Sequence, residues 1–127
     1  MAARQVTRHY DRSLAPAGVT ANDYSILARL DREGPLTLGN LAARLAMNRT
    51  TVSREVGPLI RSGLIEASSD ERDRRKRVLS LTPAGLERVL TTRPLWAQAQ
   101  EELIGAFGSA RADDLLRELH ALLGAAA

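Results

Sequence analysis

Two clusters of side chains in this chain are equipped to grip a polyanion. The first is Asn48-Arg49-Thr50-Thr51-Val52-Ser53-Arg54, and the second is Asp70-Glu71-Arg72-Asp73-Arg74-Arg75-Lys76-Arg77. An arginine fork can hold a phosphate or the edge of guanine through two bonds, and a threonine can meet a thymine methyl or a phosphate. This is the chemistry of nucleic-acid recognition, not of bond making. A plainer structural reading stands beside it. Asn48, Thr51 or Ser53 can serve as helix caps or face solvent, and Asp70 and Asp73 can pair with neighbouring arginines in a solvated loop. For the loop both readings are expected to hold, with one Asp fixing an arginine while Arg72, Arg74 or Arg75 reaches into a narrow minor groove. The backbone amides behind Thr37, at another helix start, suit a phosphate as well as an ordinary cap.

Charge distribution supports the first reading. The chain carries a formal +3 and a pI near 10.2, and residues 44 to 77 alone hold nine basic side chains against five acidic ones. The remaining 93 residues therefore sum to −1. Positive charge sits where counterion release from a phosphate backbone would reward it. With 127 residues and 44% apolar content, one soluble globular domain is expected. With one Phe, one Trp and two Tyr, the core must be mostly aliphatic, which suits helices. No Cys is present, which excludes disulfides, thiolate metal sites and thiol redox switches, and fits a cytoplasmic protein. No apolar run approaches the roughly 18 residues of a membrane span, and the first residues lack the apolar core of a signal peptide. No membrane partner is expected.

The elements that position these clusters follow from periodicity and caps. Residues 2 to 14 read as a helix with Val6, Tyr10 and Leu14 on one face, ended by Pro16-Ala17-Gly18. Thr20 caps the next, with Asp23 completing a capping box and Val19 stapling onto Tyr24; Tyr24, Leu27 and Leu30 form its core face. After Gly34-Pro35, Leu36-Thr37-Leu38 opens a short helix with Thr37 as cap, Leu36 and Leu41 as staple, and Leu41 and Leu45 inward. Ala46-Met47 turns the chain and Asn48 caps a helix buried through Val52, Val56, Leu59 and Ile60, ending near Gly63. Pro58 in that helix predicts a kink, because it lacks a donor and clashes with the Arg54 carbonyl. Residues 64 to 68 and 77 to 81 read as two strands of a hairpin around the charged loop. Thr82-Pro83 starts a long helix carrying Leu86, Val89, Leu90, Trp96, Leu103, Ile104 and Phe107, with a second kink at Pro94. Gly108-Ser109 ends it and caps a last helix with a stripe of Leu115, Leu116, Leu119, Leu122 and Leu123. That stripe is too apolar for a solitary surface helix.

The fold class is therefore mainly α with a small β-hairpin wing, a winged helix-turn-helix over 20 to 82 flanked by terminal helices. This order, with Asp70-x-Arg72-Asp73-x-Arg75 followed by Leu81-Thr82-Pro83-Ala84-Gly85, resembles the multiple-antibiotic-resistance regulator (MarR) family over nearly the whole chain. The resemblance implies one MarR-type domain over 1 to 127, with 2 to 14 and 83 to 123 building a homodimer. It also implies a pseudo-palindromic double-stranded DNA operator and repression of nearby genes until a small, often phenolic, ligand weakens binding. Two departures stand out. The first helix begins late relative to the family, which commonly carries further residues before Val6-Thr7-Arg8-His9-Tyr10-Asp11, so part of the dimer contact and pocket roof is affected. The absence of Cys removes the chain from the peroxide-sensing branch.

By position, Thr37, Asn48, Arg49, Thr50, Thr51, Ser53, Arg54, Arg72, Arg74 and Arg75 are the DNA-facing candidates. The family pocket, between dimer helices and winged domain, makes His9, Tyr10, Arg12, Tyr24 and Trp96 the ligand candidates, although aromatic residues on apolar stripes are more often core. His120, among leucines, reads as an interface or surface residue. No cofactor or metal is expected, and an enzyme is disfavoured: the two histidines are far apart and there is no glycine-rich phosphate loop or metal-spaced cluster. The remaining rival is a winged helix used as a protein-interaction module, which would not need the charge split.

Overall fold

A computed structural model of the chain describes residues 2–107, 114 and 116–118. Helix α1 (Ala2–Leu14) leads through a 3₁₀ turn (Ala15–Ala17) to α2 (Ala21–Glu33). Gly18 takes φ +75°, the left-handed conformation that lets the chain reverse between them. The capping box closes α2: the Thr20 hydroxyl accepts from the Asp23 amide at 3.1 Å, and the Asp23 carboxylate accepts from the Thr20 amide at 3.0 Å. A second carboxylate, Asp11 of α1, accepts from the Ala21 amide at 2.7 Å and ties the two helices together.

The expected stripes are the observed core. Val6, Tyr10 and Leu14 of α1 are buried against Tyr24, Leu27 and Leu30 of α2, joined by Ile26, which the helical stripe had not included. Helix α3 (Leu38–Leu45) buries Leu41 and Leu45, and α4 (Arg49–Arg61) buries Val52, Val56 and Leu59, with Ile60 half-buried. Helix α4 runs through Gly57-Pro58 as one element. Between α3 and α4, Ala46 adopts φ +53°, a left-handed helix cap on a residue that carries a Cβ. Its amide donates to the carbonyl of Ala43, and that of Met47 to Ala42, so two helix-end carbonyls are satisfied in the turn.

The sheet differs from the two-stranded expectation. Strands β2 (Ile65–Ser69) and β3 (Arg77–Leu81) pair antiparallel as the wing hairpin, and Leu36–Thr37 adds a third strand, β1, on the other edge of β3. Leu36 lies opposite Leu79 and Thr37 opposite Val78. Leu36-Thr37 therefore precedes the short helix as a strand instead of opening it, although Thr37 still caps it by accepting from the Asn40 amide at 3.2 Å. Two residues are too few for a periodic signal, and their pairing spans some forty positions of sequence. The strand after α4 starts at Ile65, because the Leu64 amide is spent on the Leu59 carbonyl.

Helix α5 (Pro83–Phe107) begins where Thr82 ties three elements together. Its hydroxyl donates to the Gly63 carbonyl at 2.6 Å and accepts from the Gly85 amide at 3.0 Å, and its amide donates to Leu64. Gly85 is required here, since a Cβ on it would run into the Leu64 carbonyl and lie 2.7 Å from Leu81 Cδ1. Val89, Thr92, Trp96, Ala99 and Leu103 form the buried face of α5, while Leu86, Leu90 and Ile104 are exposed. Residues 114 and 116–118 are helical and Leu116 packs against the core. Leu115, Leu119, Leu122, Leu123, the proposed cap at Gly108-Ser109 and His120 lie outside the described residues, as does the Phe107 side chain.

Candidate nucleic-acid interface

Burying Val52, Val56 and Leu59 decides what α4 can offer to a partner. With these side chains inward, Arg49, Thr50, Ser53 and Arg54 are exposed on the opposite side of the helix and Thr51 is half-buried. Asn48 holds the N-terminus by accepting from the Thr50 amide at 2.7 Å. Its carbonyl oxygen is thus occupied, and the residue is exposed. Thr37 is in the same position, with its oxygen engaged by Asn40 and its hydroxyl hydrogen available as a donor.

Helix α3 is braced against α2. Glu33, at the end of α2, accepts from Arg44 of α3 at 2.9 Å and from Arg29 one turn back at 3.0 Å. Arg44 and Arg29 together hold the Glu33 carboxyl below the usual carboxylate range. This triad was not singled out in the sequence, where Glu33 and Arg44 lie eleven positions apart on separate helices.

In the wing, carboxylates set the loop before any partner arrives. Asp70 accepts from the Arg72 amide at 2.9 Å, while Asp73 accepts from the Arg75 amide at 3.1 Å and from its guanidinium at 3.2 Å. The Arg75 contacts lower the Asp73 pKa. Arg75 is thus tethered at the base, and Arg72 and Arg74 are exposed at the tip without an ion pair among the described residues.

Wing and helix-turn-helix meet in a cleft of about 300 Å³ lined by Thr37, Leu38, Gly39, Asn40, Arg49, Arg75, Lys76 and Arg77. Three of the site candidates, Thr37, Arg49 and Arg75, come together here. Lys76 and Arg77 join them, two basic residues outside the DNA-facing candidates of the sequence. Thr50, Ser53 and Arg54 lie outside the cleft on α4.

Residues 17–76 match the sequence model of the MarR family. The fold is similar to that of the M. tuberculosis transcriptional regulator MosR, solved in complex with DNA, at 33% identity and TM-score 0.79 over 93% of this chain and 86% of that one. The chain belongs to the MarR family. It is also similar in fold to an E. coli MarR variant complexed with operator DNA, at 21% identity and TM-score 0.80, over 94% of this chain and 88% of that one. A curated relative is the transcriptional activatory protein BadR of Rhodopseudomonas palustris, 28% identical over 120 residues. The match takes in 88% of this chain and 65% of BadR, so the chain spans just under two thirds of that relative's length.

On this MarR scaffold the aromatic candidates gather where α1, α2 and α5 meet. Trp96 of α5 stacks against Tyr10 of α1 at 4.2 Å and Tyr24 of α2 at 5.0 Å between ring centroids. His9 meets Tyr10 edge-on and its Nε2 lies 3.0 Å from the Ala99 carbonyl. Tyr24 and Trp96 line a cleft of about 480 Å³ between α2 and α5, together with Asp31, Arg93, Ala97 and Gln100 among others. Arg12 is exposed on α1 and does not line this cleft. Arg93 was missed in the sequence, because only the fold brings it to Asp31, 3.4 Å away. The Trp96 indole N–H is buried without a hydrogen-bond partner among the described residues. Among the described residues no group of three or more His, Asp or Glu could hold a metal, and no helix is long and apolar enough to cross a membrane.

Burial pushes the Tyr10 phenol from its ordinary value near 10 up to about 12, against a smaller lowering by the Gln100 side chain. The folded protein therefore keeps this proton where the unfolded chain has lost it. Stability from this group is complete below pH 10 and is lost as pH rises from 10 toward 12, by about 2 to 3 kcal/mol in total. Urea denaturation at pH 9 and pH 11.5 should show that loss in the wild type and its absence in Tyr10→Phe. Equal pH sensitivity in both proteins would refute the assignment.

Proposed function

We propose that this chain is a sequence-specific DNA-binding transcriptional regulator, a cytoplasmic homodimer that represses nearby genes and is released by a small aromatic ligand. The observation that carries the DNA-binding part is the exposed row Arg49, Thr50, Ser53 and Arg54 on a buried-anchored α4, beside a wing with Arg72 and Arg74 at its tip. MosR, 33% identical, binds DNA in its solved complex, which supports the same use here. The partners of α4 would be base edges and phosphates of a major groove, and those of the wing an adjacent minor groove. Dimerisation through α1, α5 and the C-terminal segment is supported by Leu90 and Ile104, which α5 leaves exposed. Half-sites would then lie about one helical turn apart, roughly 34 to 36 Å, on a pseudo-palindromic operator.

The cleft between α2 and α5 supports the ligand. It joins the aromatic faces of Tyr24 and Trp96 to the guanidinium of Arg93, which Asp31 holds at 3.4 Å, a set that suits a planar acid or phenol. Tyr24 and Trp96 would contact it; Tyr10, which is buried and does not line the cleft, would back Trp96, and His9 would act through Tyr10. Repression is the sign of regulation favoured by the family resemblance, whereas BadR is an activator. The position of the operator relative to the promoter decides between the two.

The test is a salt titration on a duplex taken from the DNA upstream of the gene, with a scrambled duplex as control. A preference of ~10³ or more, weakening steeply with salt, is expected for a specific regulator. In the same samples a panel of phenolic and aromatic acids should quench the fluorescence of Trp96, the chain's single tryptophan, and loosen the operator complex. Equal weak binding to both duplexes, with no site returned by selection from random DNA, would point to a protein partner for the winged helix.

A further inference from the structure

Arg49 does not stand out from α4 as a base reader would. Its side chain lies back across the first turn of α3, where its Cζ, Nε and Nη2 atoms are 3.7, 3.8 and 3.9 Å from the position a Cβ on Gly39 would occupy. From there it forms one wall of the 300 Å³ cleft whose other wall is Arg75, Lys76 and Arg77. Four cationic side chains from two separate elements thus converge on one small space, and no carboxylate lines it. The nearby acid, Asp73, is engaged with Arg75 at 3.2 Å. The Thr37 hydroxyl in the same lining keeps a hydrogen to donate, since its oxygen already accepts from Asn40. Like charges gathered in this way repel one another until an anion sits between them. The space is too small for a base pair and large enough for one phosphodiester group.

We infer that this cleft seats a single backbone phosphate of the duplex, with Arg49 as a positioning residue that anchors the helix-turn-helix to the wing and reads no base. Base discrimination then falls to Thr50, Ser53 and Arg54, which are exposed on α4 outside the cleft. The inference rests on the DNA-binding reading above and divides its residues into two kinds. A phosphate contact weakens every sequence alike and contributes about one ion to the salt dependence, whereas a base contact changes preference at one position.

The experiment measures binding of the wild type, Arg49→Ala, Arg49→Gln, Arg49→Lys and Arg54→Ala to an operator selected from random DNA by the wild type. Single-base variants of that operator and a scrambled duplex are included, each across a salt series. Circular dichroism establishes that the variants are folded. Arg49→Ala and Arg49→Gln should lose roughly eightfold in affinity at ~0.1 M salt on every duplex, and the slope of log K against log salt should become shallower by about 0.9. Arg49→Lys should keep most of the affinity, because a phosphate accepts a point charge where a guanine edge demands the fork. Arg54→Ala should flatten the preference at one base pair.

The inference is overturned if Arg49→Ala abolishes discrimination at a particular base pair, or if it leaves affinity and slope unchanged. Failure of the parent reading looks different. The wild type would then bind operator and scrambled duplex equally, and the change in salt slope on the scrambled duplex would still decide for or against the phosphate seat.

Discussion

Replacing Arg49 and Arg54 together by alanine is expected to lower operator affinity by about 10²- to 10³-fold and leave the protein folded. The loss combines one phosphate contact, roughly tenfold at moderate salt, with one bidentate base contact of about 1 to 3 kcal/mol. Neither side chain supports the fold. Both are exposed, neither makes an ion pair among the described residues, and α4 is held instead by Val52, Val56 and Leu59 below and by the Asn48 cap at its start. Alanine is also the best helix former, so α4 itself should gain slightly. Filter binding beside a thermal melt would check both halves. Full operator affinity in the double variant would remove α4 from the interface, and a collapsed melt would show that the arginines are structural.

The second large effect concerns stability and comes from a glycine. Gly85→Ala is expected to cost about 3 kcal/mol and lower the melting temperature by roughly 10 °C. The new methyl would overlap the Leu64 carbonyl and press on Leu81, and neither can retreat easily. The Leu64 carbonyl is fixed by the Thr82 amide at 3.1 Å, and Leu81 lies in β3 opposite Ile65. Because α5 starts at this contact, relaxation there would shift the long helix relative to the wing. Gly105→Ala provides a control of opposite sign, since no described residue lies within 4 Å of its added Cβ and a helix-interior glycine costs up to ~1 kcal/mol relative to alanine. Calorimetry of both variants at one protein concentration would decide the matter. A Gly85→Ala protein melting within a degree or two of the wild type would mean that the wing and α5 are packed more loosely than these distances imply.

By itself the sequence determined the helix caps, the buried stripes and the wing hairpin, each written within a few residues of itself. The caps at Thr20, Thr37, Asn48 and Thr82 are legible because the capping oxygen and the amide it serves lie two or three positions apart. The buried stripes of α1, α2 and α4 are legible because 3.6-residue periodicity projects one face inward whatever it meets there. The wing hairpin was bounded by composition, and the Asp73 to Arg75 tether is a contact over two positions.

Tertiary structure decided whatever depends on distant chain segments meeting. Strand β1 exists only because β3 offers it an edge, and two residues carry no pattern of their own. Leu86 and Leu90 are as apolar as Val89 by type, yet α5 turns them outward, because its buried face is chosen by α1 and α2. Periodicity finds a stripe on an amphipathic helix, but the mostly apolar α5 has more apolar side chains than one face can bury. The Glu33 brace between helices, the pairing of Asp31 with Arg93 at the aromatic cleft, and the turn of Arg49 onto Gly39 are likewise decided by packing. In each case the side-chain chemistry is visible in one dimension, but its direction is set in three by the neighbour against which the backbone packs.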